Sequence, residues 1–466
     1  MSKKWIKNGI IVTSSDTYQA DLLIDGGEII GIGKMPDIDN AEVIDASGLY
    51  VFPGAVDEHT HMSMPFNGTE SMPWESETVA AAVGGTTTIV DFALQARGSS
   101  LTDTIRKWQT RAEGNTAIDY NLHVAITDLT NDIMEEISTA VKLGVSTFKL
   151  FMAYKGELMV DDSTMFRMLQ KAKEVGALVM VHAENGDIIS LLQQQLLSEG
   201  KTEPYYHAVS RPIDIETEAT HRAIKLAKAA GSPIFIVHVS SGEPAEEIRR
   251  ARASGQPVFA ETCPQYLFLD ESYLALPDFE GAKYVCSPPL REKSQHEQLW
   301  NAITDGTLQA IGTDHCSFDF KNQKYLGRND FSKIPNGGNG IEHWIPLLYT
   351  YGVKAGKISL NRFIELISAN PAKFMGLYPR KGTIAVGSDA DLVLFDPKVE
   401  QTITASSQLQ GSDYNFYEGW QVQGAARHVL LRGEVIVKNG TYVGSRTQGQ
   451  FIHAKPFGAA FQKVGE

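Results

Sequence analysis

Five side chains in this sequence of 466 residues are of types that hold metal ions, a sixth is an unexpected lysine, and each lies within or at the end of an apolar run. His59 and His61 stand two apart in YVFPGAVDEHTH, so on an extended chain both imidazoles point to one face. Asp57 shares that face and is expected to orient one imidazole, as metal-bound histidines require. A lone His-x-His pair is weak evidence by itself; its place after Pro53-Gly54, at the end of an apolar run, strengthens it. His182 closes LVMVHAEN and His238 closes IFIVHVSS. A single histidine on such a run is most often a hydrogen-bonded core residue. Two at equivalent ends, sharing a mouth with His59 and His61, are hard to explain by packing. Asp314, in AIGTDHCSF, can ligate a metal and accept a proton from bound water. Four imidazoles and one carboxylate form a donor set suited to zinc, with manganese, cobalt and nickel as alternatives.

Lys149 is the odd member. It sits in STFKLFMAY, an otherwise almost wholly apolar run, where an ammonium is costly unless paired. Two fates follow: a buried ion pair with a carboxylate, or reaction with carbon dioxide to a carbamate whose two oxygens bridge two metals. Composition leaves both open. His123 falls mid-strand and reads as structural, and His315 faces away from its neighbour Asp314. Cys263, Cys286 and Cys316 are not spaced for a zinc site and read as small buried hydrophobes.

These residues need a frame that brings distant segments together. Eight short apolar runs alternate with amphipathic stretches of helical length: YVFPGAVDEHTH, TTTIVDFA, YNLHVAIT, STFKLFMAY, ALVMVHAEN, PIFIVHVSS, PVFAETCPQ and LQAIGTDHC. Between them lie SLTDTIRKWQTRAEGN, NDIMEEISTAVKLG, DDSTMFRMLQKAKEVG, ETEATHRAIKLAKAAG and EPAEEIRRARASG, several opening on Ser, Asp or Thr and stopping at Gly. This pattern predicts an α/β fold, a (β/α)8 barrel over residues 53–378, with catalytic groups at the carboxyl ends of its strands. Both chain ends instead show short strands broken by turns, and residues 1–52 with 379–446 are expected to join as one small β-sandwich. Residues 447–466 read as a tail or an interface arm.

Composition excludes several classes. Hydrophobic residues make up 42% and charged residues 21% of the chain, the balance of a soluble globular protein. The formal net charge of −14 argues against nucleic-acid or anionic-membrane binding through a basic surface. No apolar run is long enough to span a bilayer, and the N-terminus lacks a secretory signal pattern. Three scattered cysteines argue against a disulfide framework. A cytoplasmic protein is expected.

Taken together, the strings PGAVDEHTHM, GGTTTIVDFA, FKLFMAYK, VHAENG, VHVSS, YVCSPPLR, GTDHC, IPNGGNGIE and RKGTIAVGSDADLVLFD resemble the dihydropyrimidinase and D-hydantoinase family of the amidohydrolase superfamily, from about residue 5 to residue 445. The resemblance implies a distorted barrel beside a β-sandwich, usually a homotetramer and sometimes a dimer. It implies that His59 and His61 hold one zinc and His182 and His238 the other, that Asp314 ligates the first, and that Lys149, as its carbamate, bridges them. Tyr154 then matches the tyrosine that hydrogen-bonds the carbonyl under attack, and Ser287 and Asn336 match positions whose backbone groups grip the ring amide. Residues 62–72 and the loop after Tyr154, including Leu158, match mobile loops that sort ring substituents. The reaction implied is hydrolysis of a small cyclic amide, a 5,6-dihydropyrimidine or a 5-substituted hydantoin of D configuration, to an N-carbamoyl amino acid. Asp314 would take a proton from water and return it to the departing nitrogen.

Two neighbouring readings compete. Dihydroorotases place an arginine two residues after His-x-His; here Ser63 stands there, and no arginine follows through Met72. Allantoinases also take a hydantoin ring, and FMAYK and CSPPLR favour the hydantoinase side. Non-catalytic scaffold relatives lack metal ligands that this chain retains.

Overall fold

The eight apolar runs each contribute a strand because a parallel barrel strand is covered by helices outside and by packed side chains inside, and so is apolar on both faces. The computed structural model describes residues 3–461 apart from 37, 39 and 67. The barrel strands are β1 (Ala55–Thr60), β2 (Thr86–Leu94), β3 (Asp119–Ala125), β4 (Thr147–Phe151), β5 (Leu178–His182), β6 (Ile234–Ile236), β7 (Val258–Thr262) and β8 (Ala310–Ile311). All pair in parallel and in chain order. Every residue of β1, β3, β4 and β5 is buried. The register sets Ala125 opposite Lys149 and Phe151 opposite His182, which brings the carboxyl ends of neighbouring strands to one rim. Between β8 and β1 the rim is joined by the segment that follows each strand: the His61 amide donates to the His315 carbonyl at 2.8 Å.

The five amphipathic stretches are helices at Leu101–Ala112, Asn131–Lys142, Asp162–Val175, Ile213–Ala230 and Gly242–Ala253. Ser100, Thr130 and Asp161 cap the first three by accepting the amides of Asp103, Ile133 and Thr164. Gly176 and Gly231 end two helices in the left-handed region, where an L side chain would be strained. Helices at Trp74–Gly84, Gly186–Ser198 and Gln295–Thr304 lie outside those stretches. Trp74–Gly84 is buried nearly all round, so it lacks the polar face that marks a surface helix.

Nine strands from the two chain ends form one sheet, in the order 441–442, 434–438, 421–431, 392–402, 50–53, 4–12, 17–25 and 28–33, with 42–45 beside 4–12. Strand Tyr50–Pro53 joins the two ends, antiparallel to Leu392–Thr402 and parallel to Lys4–Val12. The sheet folds back on itself: the Ile29 amide donates to Ser388 and the Ala390 amide to Gly27. A separate core of Ile6, Leu22, Ile24, Leu392, Leu394 and Leu430 lies inside it.

Residues 449–457, read from sequence as part of a tail, run across the amino-terminal end of their own barrel. The Tyr120 amide donates to Gln450, the Ile452 amide to Tyr120, and the Phe457 amide to Gly176. Ile452 is buried in the core cluster that includes Val90, Phe235 and Phe374. Residues 462–466 fall outside the described part. Ile452→Ala should destabilise the fold by about 2–5 kcal/mol, the usual cost of truncating a buried aliphatic side chain. Urea unfolding would read it, and a shift under 0.5 kcal/mol or so would show that the strap is dispensable. No helix among the described residues is long and apolar enough to cross a membrane.

Candidate active site

The ends of β1, β4, β5 and β6 and the segment after β8 deliver the six candidate ligands to one cavity. His59, His61, Lys149, His182, His238 and Asp314 line it, together with Tyr154, Ser287 and Asn336. All nine side chains named from the sequence therefore meet in one place. The cavity holds about 50 Å³ and adjoins a wider chamber of about 170 Å³, with Phe66, Tyr154 and Asn336 lining both.

On one side, a single oxygen of Asp314 lies 3.2 Å from Nε2 of His59 and 3.2 Å from Nε2 of His61. These three donor atoms lie within 4.8 Å of one another, close enough to share an ion. On the other side, Nδ1 of His182 faces Nε2 of His238 at 2.9 Å. The His59 and His238 rings, 5.4 Å apart, join the two groups. Lys149 is 1% exposed, with its Nζ 4.9 Å from the centre of the Phe92 ring and 5.3 Å from that of Phe151. No carboxylate among the described residues pairs with it, so the buried ion pair that the sequence left open is absent there.

Burial sets the protonation of this group. It pushes the Lys149 ammonium down to about 7, against the opposing pull of the Glu261 and Asp314 charges. It also holds the His59 and His238 imidazolium forms well below the ordinary histidine range, leaving neutral rings with lone pairs to offer. For Asp314, burial pushes up, but the His59 and His61 interactions outweigh it and keep the carboxylate ionised. Neutral imidazoles, an ionised carboxylate and a lysine poised to lose its proton make a donor set that fits divalent cations.

The residues behind this group differ from the expectation in one respect. Asp57 does not orient an imidazole: its carboxylate accepts from the Thr313 amide at 2.9 Å and the Thr313 hydroxyl at 2.5 Å, tying β1 to the segment after β8. Asp57 lies one strand repeat deeper in the barrel, level with Thr313 rather than with the rings. The partner of His59 Nδ1 is Glu261, from the end of β7, which also accepts from the His238 amide at 3.2 Å. Glu184 holds His182 in the same way, 2.8 Å from its Nε2, and pairs in turn with Arg211 at 2.5 Å. The His-x-Glu spacing of VHAEN and the lone acid in PVFAETCPQ are the signals that would have disclosed these two.

His123 bonds the Thr147 hydroxyl and the Glu58 carbonyl, a structural place as its sequence position suggests, and His315 bonds Glu77. His207 donates to the Cys286 carbonyl at 2.9 Å behind Ser287. The three cysteines are free and buried.

Three of the site residues have a strained backbone. Tyr154, His238 and Asp314 have φ of 63°, 40° and 50°, a region costly for residues other than glycine and characteristic of functional sites. The strain at Tyr154 turns its ring inward, 5.5 Å from that of His182 and 5.9 Å from Phe66. Asn336 donates to the Ser287 hydroxyl at 3.0 Å on the facing wall. Met64, Phe66, Phe151 and Leu158 supply apolar lining.

The chain matches the amidohydrolase family over residues 50–436. It is 53% identical to a D-hydantoinase of Geobacillus stearothermophilus, across 98% of this chain and 97% of that protein. A D-hydantoinase of Ralstonia pickettii is 49% identical, across 97% and 99%. The crystal structure of a dihydropyrimidinase from Brevibacillus agri NCHU1002 superposes with a TM-score of 0.97 at 50% identity, covering 98% of this chain and 99% of that one.

Proposed function

We propose, since the chain belongs to the amidohydrolase family, that it hydrolyses a ring amide of 5-substituted hydantoins and 5,6-dihydropyrimidines to give N-carbamoyl amino acids. The names of its relatives supply the ring, and D-hydantoinase relatives favour the D configuration. The observation that carries the reading is the convergence of all nine side chains on one cavity.

By the chemistry of their donors, His59, His61 and Asp314 would hold one divalent cation and His182 and His238 a second, zinc being the best match. Lys149 would join both as a carbamate: its neutral amine attacks carbon dioxide, an N–C bond forms and one proton leaves. Its burial without an ion pair, among the described residues, supports that form. Bound there, the cations supply Lewis acidity that brings the pKa of water towards about 7 and polarises an amide carbonyl.

The rest falls to the chain. Asp314 accepts the proton that water gives up and passes it to the ring nitrogen as the C–N bond breaks. The Tyr154 hydroxyl donates to the carbonyl oxygen as negative charge builds on it, and burial, which raises its pKa, keeps that proton in place. Backbone groups at Ser287 and Asn336 orient the ring amide, while Met64, Phe66 and Leu158 face the ring substituent. The buried walls exclude water and strengthen each of these contacts. Buried free cysteines suit the reducing cytoplasm, and we propose, from the family resemblance, a homotetramer.

Ultraviolet ring-opening assays on metal-loaded protein test the reading. Dihydrouracil and D-5-substituted hydantoins should be turned over, and dihydroorotate should not. Preference for allantoin or dihydroorotate would replace the substrate assignment.

A further inference from the structure

Lys324 is fully buried, yet no carboxylate among the described residues pairs with it. Its amine donates to the Val285 carbonyl at 2.9 Å and the Gly337 carbonyl at 2.6 Å. These carbonyls belong to the two segments that present Ser287 and Asn336. The Gly337 amide also donates to Val285 at 2.9 Å. A buried lysine amine that hydrogen-bonds two chain segments fixes their separation. Gly337 has little freedom to adjust: it sits at φ 139°, and a Cβ there would fall 2.3 Å from the Cys316 carbonyl oxygen.

The preceding residue reaches the other way. Gln323 Nε2 donates to the Thr69 hydroxyl at 2.5 Å and the Glu70 carbonyl at 2.6 Å. These lie on the strand paired with Pro65–Phe66, and Phe66 lines both chambers. The Gln323 and Lys324 amides are both anchored on the Asp319 carbonyl, at 3.0 and 2.9 Å. Adjacent residues on one short segment thus hold the amide-facing and substituent-facing walls.

We infer that Gln323 and Lys324 form a brace of positioning residues: Lys324 sets the grip on the ring amide, and Gln323 sets the hairpin that admits the ring substituent. The inference rests on the proposed ring-opening reading and adds a division of labour to it. Lys324 acts on every substrate through a wall that binds ground and transition states alike. Gln323 acts only where a bulky substituent meets Phe66.

The test uses metal-loaded enzyme with hydantoin, which has no 5-substituent, and D-5-phenylhydantoin. Lys324→Gln and Lys324→Met should raise KM for both substrates about tenfold, within the worth of the two hydrogen bonds that Lys324 donates, with kcat and metal content held. Gln323→Ala should lower kcat/KM for the phenyl compound about tenfold and leave hydantoin within about twofold. Unchanged KM in folded Lys324 variants, or a fall in kcat at constant KM, would overturn the first half. An equal effect of Gln323→Ala on both substrates, or none on either, would overturn the second. Should the Lys324 variants fail to fold, the Gln323 variant decides alone, and equal effects there reject the brace. If the native enzyme opens neither ring, the reading of function fails, whatever the variants do.

Discussion

Lys149→Ala and Lys149→Met should each lose bound metal and lower turnover by more than about 10⁴-fold, because without the cations water returns from a pKa near 7 to 15.7. The two variants separate chemistry from folding. In Lys149, burial between Phe92 and Phe151 costs the ammonium more than the nearby Glu261 and Asp314 charges return, and no carboxylate among the described residues forms an ion pair with it. Exchanging it for methionine keeps the volume and removes that cost, so metal-free Lys149→Met should melt at or above the temperature of the metal-free native chain. Loss of metal then cannot be ascribed to unfolding. Elemental analysis and thermal melts read the two effects, and a methionine variant that keeps two metals and full turnover would dismiss Lys149 as a ligand.

Tyr154→Phe should lower kcat by about 10²–10³-fold, the usual cost of removing one preorganised donor to a developing oxyanion. Metal content should stay at the native level, since Tyr154 contacts His182 through its ring and that contact survives in phenylalanine. KM should change little, because the bond strengthens only as charge develops on the oxygen. A rise in KM at unchanged kcat would reassign Tyr154 to ground-state binding of the substrate.

The barrel was legible because burial on both faces leaves each strand a largely apolar run, as in STFKLFMAY and LQAIGTDHC. Polar residues within or at the ends of such runs stand out, which is why His59, His61, Lys149, His182, His238 and Asp314 could be picked without knowing their distances. Glu261 and Glu184 escaped notice for the opposite reason: a supporting carboxylate is recognised by the ring it touches across the barrel, and sequence spacing does not carry that contact. Asp57 was misassigned on the same ground. It shares a face with His59, but depth along the barrel axis decides its partner, and Thr313 lies at that depth. The strap at residues 449–457 was read as a tail because its few apolar residues are scattered, and only the barrel floor supplies their partners. Lys324 sits in the polar stretch KNQKY, where nothing in the sequence distinguishes a buried amine from its solvated neighbours.

Convergence of ligands from separate strands on a pair of cations is most directly tested by anomalous diffraction at the zinc edge from crystals of the zinc-loaded protein. Two peaks in the cavity are expected, one beside His59, His61 and Asp314 and one beside His182 and His238, with extra density on the Lys149 nitrogen reaching both. A single peak, or two peaks flanking an unmodified lysine, would contradict the binuclear assignment.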